Sequence, residues 1–132
     1  MNALKMILDD EGFESKPYKD TLGNWTFGHG LTYITKEESE RIVKERIEKI
    51  NSEFEKLKWY RMLDKQRKQA IINMGYQLGV KGVKGFKKMI RALGKQDWNK
   101  AHEEALDSAW AVQTPQRAAR VAEILRTGKL GD

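Results

Sequence analysis

The sequence contains no cysteine. Disulfide frameworks, thiolate metal sites and cysteine nucleophiles are therefore excluded. Proline is scarce, with two residues, and no Pro-rich linker divides the chain. No run approaches the ~18 consecutive apolar residues that a membrane-spanning helix needs. The opening residues Met1-Asn2-Ala3-Leu4-Lys5-Met6-Ile7-Leu8-Asp9-Asp10 hold a short apolar run that ends in carboxylates, unlike the apolar core of a signal peptide. The two histidines, His29 and His102, lie far apart in sequence. Walker, HExxH and EF-hand patterns are absent. Metal and triad chemistry have little to build on, and no metal or cofactor is expected.

What is present is one domain's worth of chain, 132 residues, long enough to bury a core without staples. Lysine and arginine number 25 against 19 acids, for a net charge of +6. That balance favours an anionic partner such as nucleic acid, a membrane surface or an acidic wall polymer, and does not choose among them. The cations read as spread along the chain and interleaved with acids, which disfavours a nucleic-acid binder.

Asn2 is placed to cap a helix that runs to about Glu11, with Gly12 as its stop. Glu11 then sits on the last turn, where the helix end carries partial negative charge. Residues 13–34 change character. Tyr18, Trp25, Thr26, Phe27, Thr32 and Tyr33 are strand formers, and Gly23-Asn24 reads as a hairpin turn. Two or three strands are expected. Thr35-Lys36-Glu37-Glu38 is a capping box, and the spacing of Ile47, Ile50, Phe54 and Leu57 predicts a long helix to about Lys58. Asp64 caps a helix to Leu78 with Gly79 as stop. Phe86–Leu93 closes on Gly94, and Asp97 caps a helix to about Leu106. A short turn carries Trp110, and Thr114 with Pro115 starts a last helix that ends at Thr127-Gly128. Trp59, Trp98 and Trp110 are assigned to the core.

The predicted fold class is α+β, mostly α: a small β-hairpin lobe (13–34), a linking helix (35–58) and a larger helical lobe (1–12 and 59–132) in a single domain. A cleft between lobes is a natural place for a ligand. Carboxylates are the remaining chemistry. Glu11 at a helix end and Asp20 and Thr26 in the hairpin can supply the two carboxyls that glycoside hydrolysis commonly uses, with a hydroxyl to hold water. By spacing alone these read first as ordinary surface residues.

Order and identity of motifs add to this. Asp10-Glu11-Gly12, Tyr18-Lys19-Asp20-Thr21, Gly23 and Thr26-x-Gly28-x-Gly30 come first. Gln69 to Met74 follows, with Gln77, Gly79, Gly82-Val83 and Gly85-Phe86. Trp110, Gln113-Thr114-Pro115, Arg117-Ala118, Arg120-Val121 and Arg126-Thr127-Gly128 close the series. The chain resembles the T-even bacteriophage lysozyme (endolysin) family across most of its length, as a shortened member. The resemblance implies a lysozyme-like fold and a muramidase that hydrolyses the β-1,4 bond from N-acetylmuramic acid to N-acetylglucosamine in peptidoglycan. It implies Glu11 as general acid, and Asp20 with Thr26 as the pair that activates water, with inversion. In such a site the carboxyls stand about 6.5–9.5 Å apart. It also implies Gly30, Tyr76 and Gln77 as substrate contacts and Arg117 as a partner of Glu11. A nearby guanidinium favours the ionised carboxylate, whereas an acid must hold its proton. Substrate binding that desolvates Glu11 would resolve that tension. Arg120 is expected to pair with Asp10.

Departures from the family pattern are local. The stretch between Gly30 and Thr35 reads as shortened. His29 lies between two glycines, and lining the cleft and packing against the lobe are both open to it. Tyr76 is open to a sugar contact or to packing. Glu104 and Ala109 stand where the family has other substrate-contacting side chains, so no peptide-stem preference carries over. The expected setting is phage-mediated host lysis: a monomer that acts on peptidoglycan, binds no nucleic acid and inserts stably in no membrane. It would stay in the host cytoplasm until a holin lets it reach the periplasm or wall. The alternatives are a non-catalytic glycan-binding relative and the lysozyme domain of a virion protein.

Overall fold

A computed structural model describes residues 2–130. The fold is mostly α, with one small antiparallel sheet. It divides into two compact units, Met1–Val43 and Lys44–Asp132.

The first unit starts with α1 (Ala3–Glu11). The Asn2 side chain accepts the Lys5 N–H at 2.9 Å, which satisfies one orphan donor of the first turn. Gly12 ends the helix at φ +66°, and its N–H returns to the Leu8 carbonyl. Strands β1 (Glu14–Lys19) and β2 (Trp25–Gly28) follow, with Tyr18 opposite Thr26 and Lys19 opposite Trp25. The register is irregular between Glu14 and Tyr18, where Pro17 has no N–H to give to the ladder. A single bridge joins Phe27 to Leu31. Thr32 and Tyr33 lie outside any strand, so the sheet has two strands and not three. Side-chain propensity does not make a strand when no partner edge is in reach.

Helix α2 (Lys36–Phe54) starts in the first unit on the expected capping box. Thr35 Oγ1 accepts the Glu38 N–H at 3.1 Å, and Glu38 Oε1 accepts the Thr35 N–H at 3.0 Å. These bonds hold the Glu38 carboxyl below its ordinary range. In this division α1 goes with the hairpin and not with residues 59–132. Glu11 on the helix lies against Gly30, and just beyond it the Phe13 ring lies 5.3 Å from that of His29.

The second unit holds the core. Phe54, Tyr60, Ile71, Met74, Val83, Met89, Leu93, Trp110, Val121 and Leu125 are all buried, and Trp59 and Trp98 pack against them. Helix α2 stops at Phe54, four residues before the expected Lys58. The Lys56 and Leu57 N–H groups bond to the carbonyls three residues back, which tightens the chain out of the helix. A short α3 (Lys58–Arg61) then brings Tyr60 onto Phe54 at 5.1 Å, stacked, with Trp59 edge-on at 6.1 Å. Aromatic packing overrides the period that would have carried the helix on. The Tyr60 hydroxyl donates to Asn51 at 2.6 Å, and burial pushes its pKa up to about 12.

Asp64 caps α4 (Lys65–Lys84). Gly79, at φ +77° and ψ 156°, breaks the helix where a stop was expected, and one more turn follows it. Then come α5 (Lys87–Gly94), α6 (Trp98–Leu106, capped by Asp97), α7 (Ala109–Gln113) and α8 (Pro115–Thr127). Thr114 precedes α8 as expected but gives it no side-chain cap. Its hydroxyl donates to the Trp110 carbonyl at 3.0 Å, because Thr114 also closes α7. Gly128 closes α8 in the left-handed region.

Arg67 ties the two ends of this unit together. Its Nε and Nη2 donate to the carbonyls of Leu125 and Arg126, its Nη1 donates to Asp64, and its guanidinium lies 3.7 Å from the Trp98 ring centre. Burial pushes the Asp64 carboxyl up, but hydrogen bonds from the Arg67 side chain and N–H outweigh it, and the net shift is downward. A carboxyl lowered by folding adds stability above its unfolded pKa of about 3.9, and that stability is lost as pH falls through the lower folded value. Asp64→Asn should therefore lower the melting temperature near neutrality, with a gap from wild type that closes below about pH 4. A gap that stays constant across acid pH would contradict the role given to Asp64. At Gly75 a Cβ would lie 2.7 Å from the buried Phe54 ring. Overpacking of about 1–3 kcal/mol should exceed the roughly 1 kcal/mol that alanine gains over glycine in a helix. Urea unfolding of Gly75→Ala should show a net loss, and a gain would contradict this packing.

Candidate active site

The hairpin places Asp20 and Thr26 through one backbone residue. Asp20 closes β1, and its Oδ1 accepts the N–H groups of Leu22 at 2.9 Å and Asn24 at 2.8 Å. The Asp20 N–H donates to the Asn24 carbonyl at 2.9 Å, and the Gly23 N–H donates to the Asp20 carbonyl at 3.0 Å. This is how an aspartate holds a turn with its own side chain. Gly23 supplies the positive φ, +83°, that the turn requires.

The Thr26 hydroxyl donates to the same Asn24 carbonyl at 3.1 Å. Thr26 is buried, at 4% exposure, and is the single buried polar residue among those described. Its proton is spent on Asn24, which leaves its oxygen as an acceptor. Asp20 likewise has Oδ1 committed to the turn, while Oδ2 takes no hydrogen bond from the described residues of this unit. Asn24 thus connects the two candidate residues. The sequence reading placed it in the turn but missed this role, for which the short Asp20-x-x-x-Asn24-x-Thr26 spacing was the available signal.

Glu11 ends α1 beside the loop that follows β2. Gly30, at φ +73°, lies directly against its carboxyl: a Cβ there would stand 2.6 Å from Glu11 Cδ. Gly30 was expected to contact substrate; here its lack of a side chain makes room for the Glu11 carboxyl. His29 packs against Phe13 within the unit. The first unit therefore sets Glu11 against Gly30 and links Asp20 to Thr26 through Asn24.

The remaining candidates belong to the second unit. Arg117, on α8, donates from Nε to Asn73 Oδ1 at 2.8 Å and from Nη2 to the Asn73 carbonyl at 3.2 Å. These bonds fix its guanidinium on α4. Gln77 Oε1 accepts the Trp110 indole N–H at 2.9 Å, which orients the amide and leaves its NH₂ to donate elsewhere. Tyr76 stands outside the core cluster. A hollow of about 660 Å³ lies beside Trp110, lined among others by Leu78, Phe86, Met89, Glu104 and Gln113.

Comparison with known proteins places these features. The family model for phage lysozyme matches residues 9–123. A probable T4-type lysozyme 2 of Dictyostelium discoideum is 33% identical, over 98% of this chain and 97% of its own length. A probable T4-type lysozyme 1 of the same organism is 31% identical over 95% and 94%. The pre-baseplate central spike protein Gp5 of Enterobacteria phage T4 is 41% identical over 54% of this chain but only 12% of its own length. The chain belongs to the phage lysozyme family, and its function is of the lysozyme type, that of a glycoside hydrolase. The first alignment spans 165 positions against the 132 residues of this chain, so the relative carries stretches with no counterpart here. This is a short member of the family.

Gly30→Ala tests the approach to Glu11. The methyl would collide with the carboxyl and force a strained φ, and displacement of about an ångström can cost on the order of 10² in rate. Release of reducing ends from peptidoglycan should fall by about that factor. Wild-type activity in the variant would show that this contact does not position Glu11.

Proposed function

We propose that the protein is a muramidase that hydrolyses the β-1,4 bond from N-acetylmuramic acid to N-acetylglucosamine of peptidoglycan, with inversion at the anomeric carbon. The observation that carries this reading is the Asp20–Asn24–Thr26 arrangement, which leaves two acceptor oxygens free from a rigid turn. A water molecule has two protons to give. Donating one to Thr26 Oγ1 and one to Asp20 Oδ2 turns its lone pair toward a sugar carbon. Glu11, at the end of α1, protonates the glycosidic oxygen as the C–O bond breaks. The water attacks from the opposite face and yields its proton to Asp20. The products are a new reducing end and a free 4-hydroxyl, with Glu11 ionised and Asp20 protonated until solvent exchange resets both.

Gln77 serves binding in this reading, its amide held by Trp110 on the second unit. Tyr76 offers a flat apolar face to a sugar ring. In this reading the protein acts as a monomer in phage-mediated lysis of a host. No helix among the described residues is long and apolar enough to cross a membrane. In this reading a separate holin-like protein gives access from the host cytoplasm to the wall.

Purified peptidoglycan provides the test. Wild type should release reducing ends without new amines, and Glu11→Gln should release none. Asp20→Asn should lose about 10²–10⁴ in rate, the usual contribution of a positioned base. Proton NMR of the fresh product should show the α-anomer first. A β-anomer appearing first would make Asp20 a nucleophile and overturn the inverting mechanism.

A further inference from the structure

Between Asp64 and Asp97 the chain has no carboxylate at all, and its cations concentrate at the end of that interval. Lys81, Lys84, Lys87, Lys88, Arg91 and Lys95 fall within fifteen residues, on the last turn of α4, along α5 and just beyond it. All six are exposed. Among the described residues none of them enters an ion pair, whereas Arg67 and Lys68, earlier in the same interval, are paired with Asp64 and Glu55. The interleaving of charge expected for the whole chain fails here.

Helix stability does not account for the run. Lys81 and Lys84 lie at a helix C-terminus, where cations are favourable, but Lys87 and Lys88 open α5, where the dipole favours acids. No acid stands in that first turn. Within α5, Lys87 and Arg91 are four residues apart, and Lys88 and Arg91 three, so they share one side. The other side is spent on the core: Met89 and Leu93 are 1% exposed and Ala92 is 5%. No apolar face remains to enter a bilayer, so the surface can work only by charge. The partly buried Phe86 packs edge-on against Trp110 and is not free to stack on bases.

We propose that this strip, from Lys81 to Lys95, binds a phosphodiester-linked anionic glycopolymer attached to peptidoglycan and so holds the enzyme on its insoluble substrate. The polymer tracks the outer side of the strip. Toward the hollow, Lys87 and Lys88 share the lining with Glu104 and Asp107, and Glu104 is paired with Lys100 at 3.2 Å. The location of the partner rests on the muramidase reading; the polyanion chemistry does not.

The test is sedimentation of full-length protein with wall sacculi carrying their phosphate polymer and with sacculi stripped of it by acid. Glu11→Gln is used so that the wall stays intact. A second protein adds Lys81→Gln, Lys84→Gln, Arg91→Gln and Lys95→Gln. These positions are exposed, and thermal melting confirms that the variant folds. The parent should bind polymer-bearing sacculi at least tenfold more tightly than stripped ones. The added substitutions should abolish that difference and reduce the log–log salt slope by about 3, at roughly 0.7 per phosphate released from a flexible strand. Equal binding by the two proteins, equal binding to stripped sacculi, or tighter binding to duplex DNA or anionic vesicles at equal phosphate would each overturn the proposal. Reducing-end release from stripped sacculi, measured with Glu11 restored, should be the same with and without the four substitutions. No release by either would count against the muramidase reading and leave the binding result standing.

Discussion

The hairpin depends on one carboxylate oxygen. Asp20 Oδ1 accepts two backbone N–H groups and fixes the turn between β1 and β2. A sheet of two strands has little packing of its own, and Thr26 is the single buried residue among those described in the first unit. The turn therefore needs a local tether, and the tether is also a candidate catalytic group. Once Oδ1 is committed, Oδ2 is held in a set direction without further support. The Asn24 carbonyl then orients the Thr26 hydroxyl by taking its proton. Structure and proposed chemistry use the two oxygens of the same side chain.

The second unit solves a different problem. Its helices share a buried apolar core, and polar groups serve to lock them. Arg67 joins the start of α4 to the end of α8, and Arg117 and Gln77 are each held by one partner on a neighbouring helix. Side chains that are already fixed lose little freedom if a ligand meets them. The same unit carries a run of cations that form no ion pair among the described residues, and that excess is where its surface departs from a balanced one.

Much of the fold was legible because its signals are local. Asn2, Thr35 with Glu38, Asp64, Asp97 and Gly128 each cap or stop a helix where their chemistry predicts. The failures have a shared cause in contacts that a linear pattern does not carry. Helix α2 ends early because Tyr60 folds back on Phe54, and Thr114 turns its hydroxyl to α7 because it serves two helices at once. In the candidate site, residue types and their order pointed to Glu11, Asp20 and Thr26. Spacing could not reveal that Asn24 links two of them, or that Gly30 stays bare to admit the third. Those facts depend on which way a carbonyl and a Cα–H point.

The central claim is that Asp20 and Thr26 hold a water and that Asp20 does not bond to sugar. A crystal structure of the Glu11→Gln variant with a peptidoglycan oligosaccharide across the scissile bond tests it most directly. The account predicts one ordered water within hydrogen-bond reach of both Thr26 Oγ1 and Asp20 Oδ2, on the face of the anomeric carbon opposite the leaving oxygen, with the carboxyl and amide carbons of residues 20 and 11 about 6.5–9.5 Å apart. A separation of about 5–5.5 Å, with Asp20 against the anomeric carbon and no room for water, would contradict it.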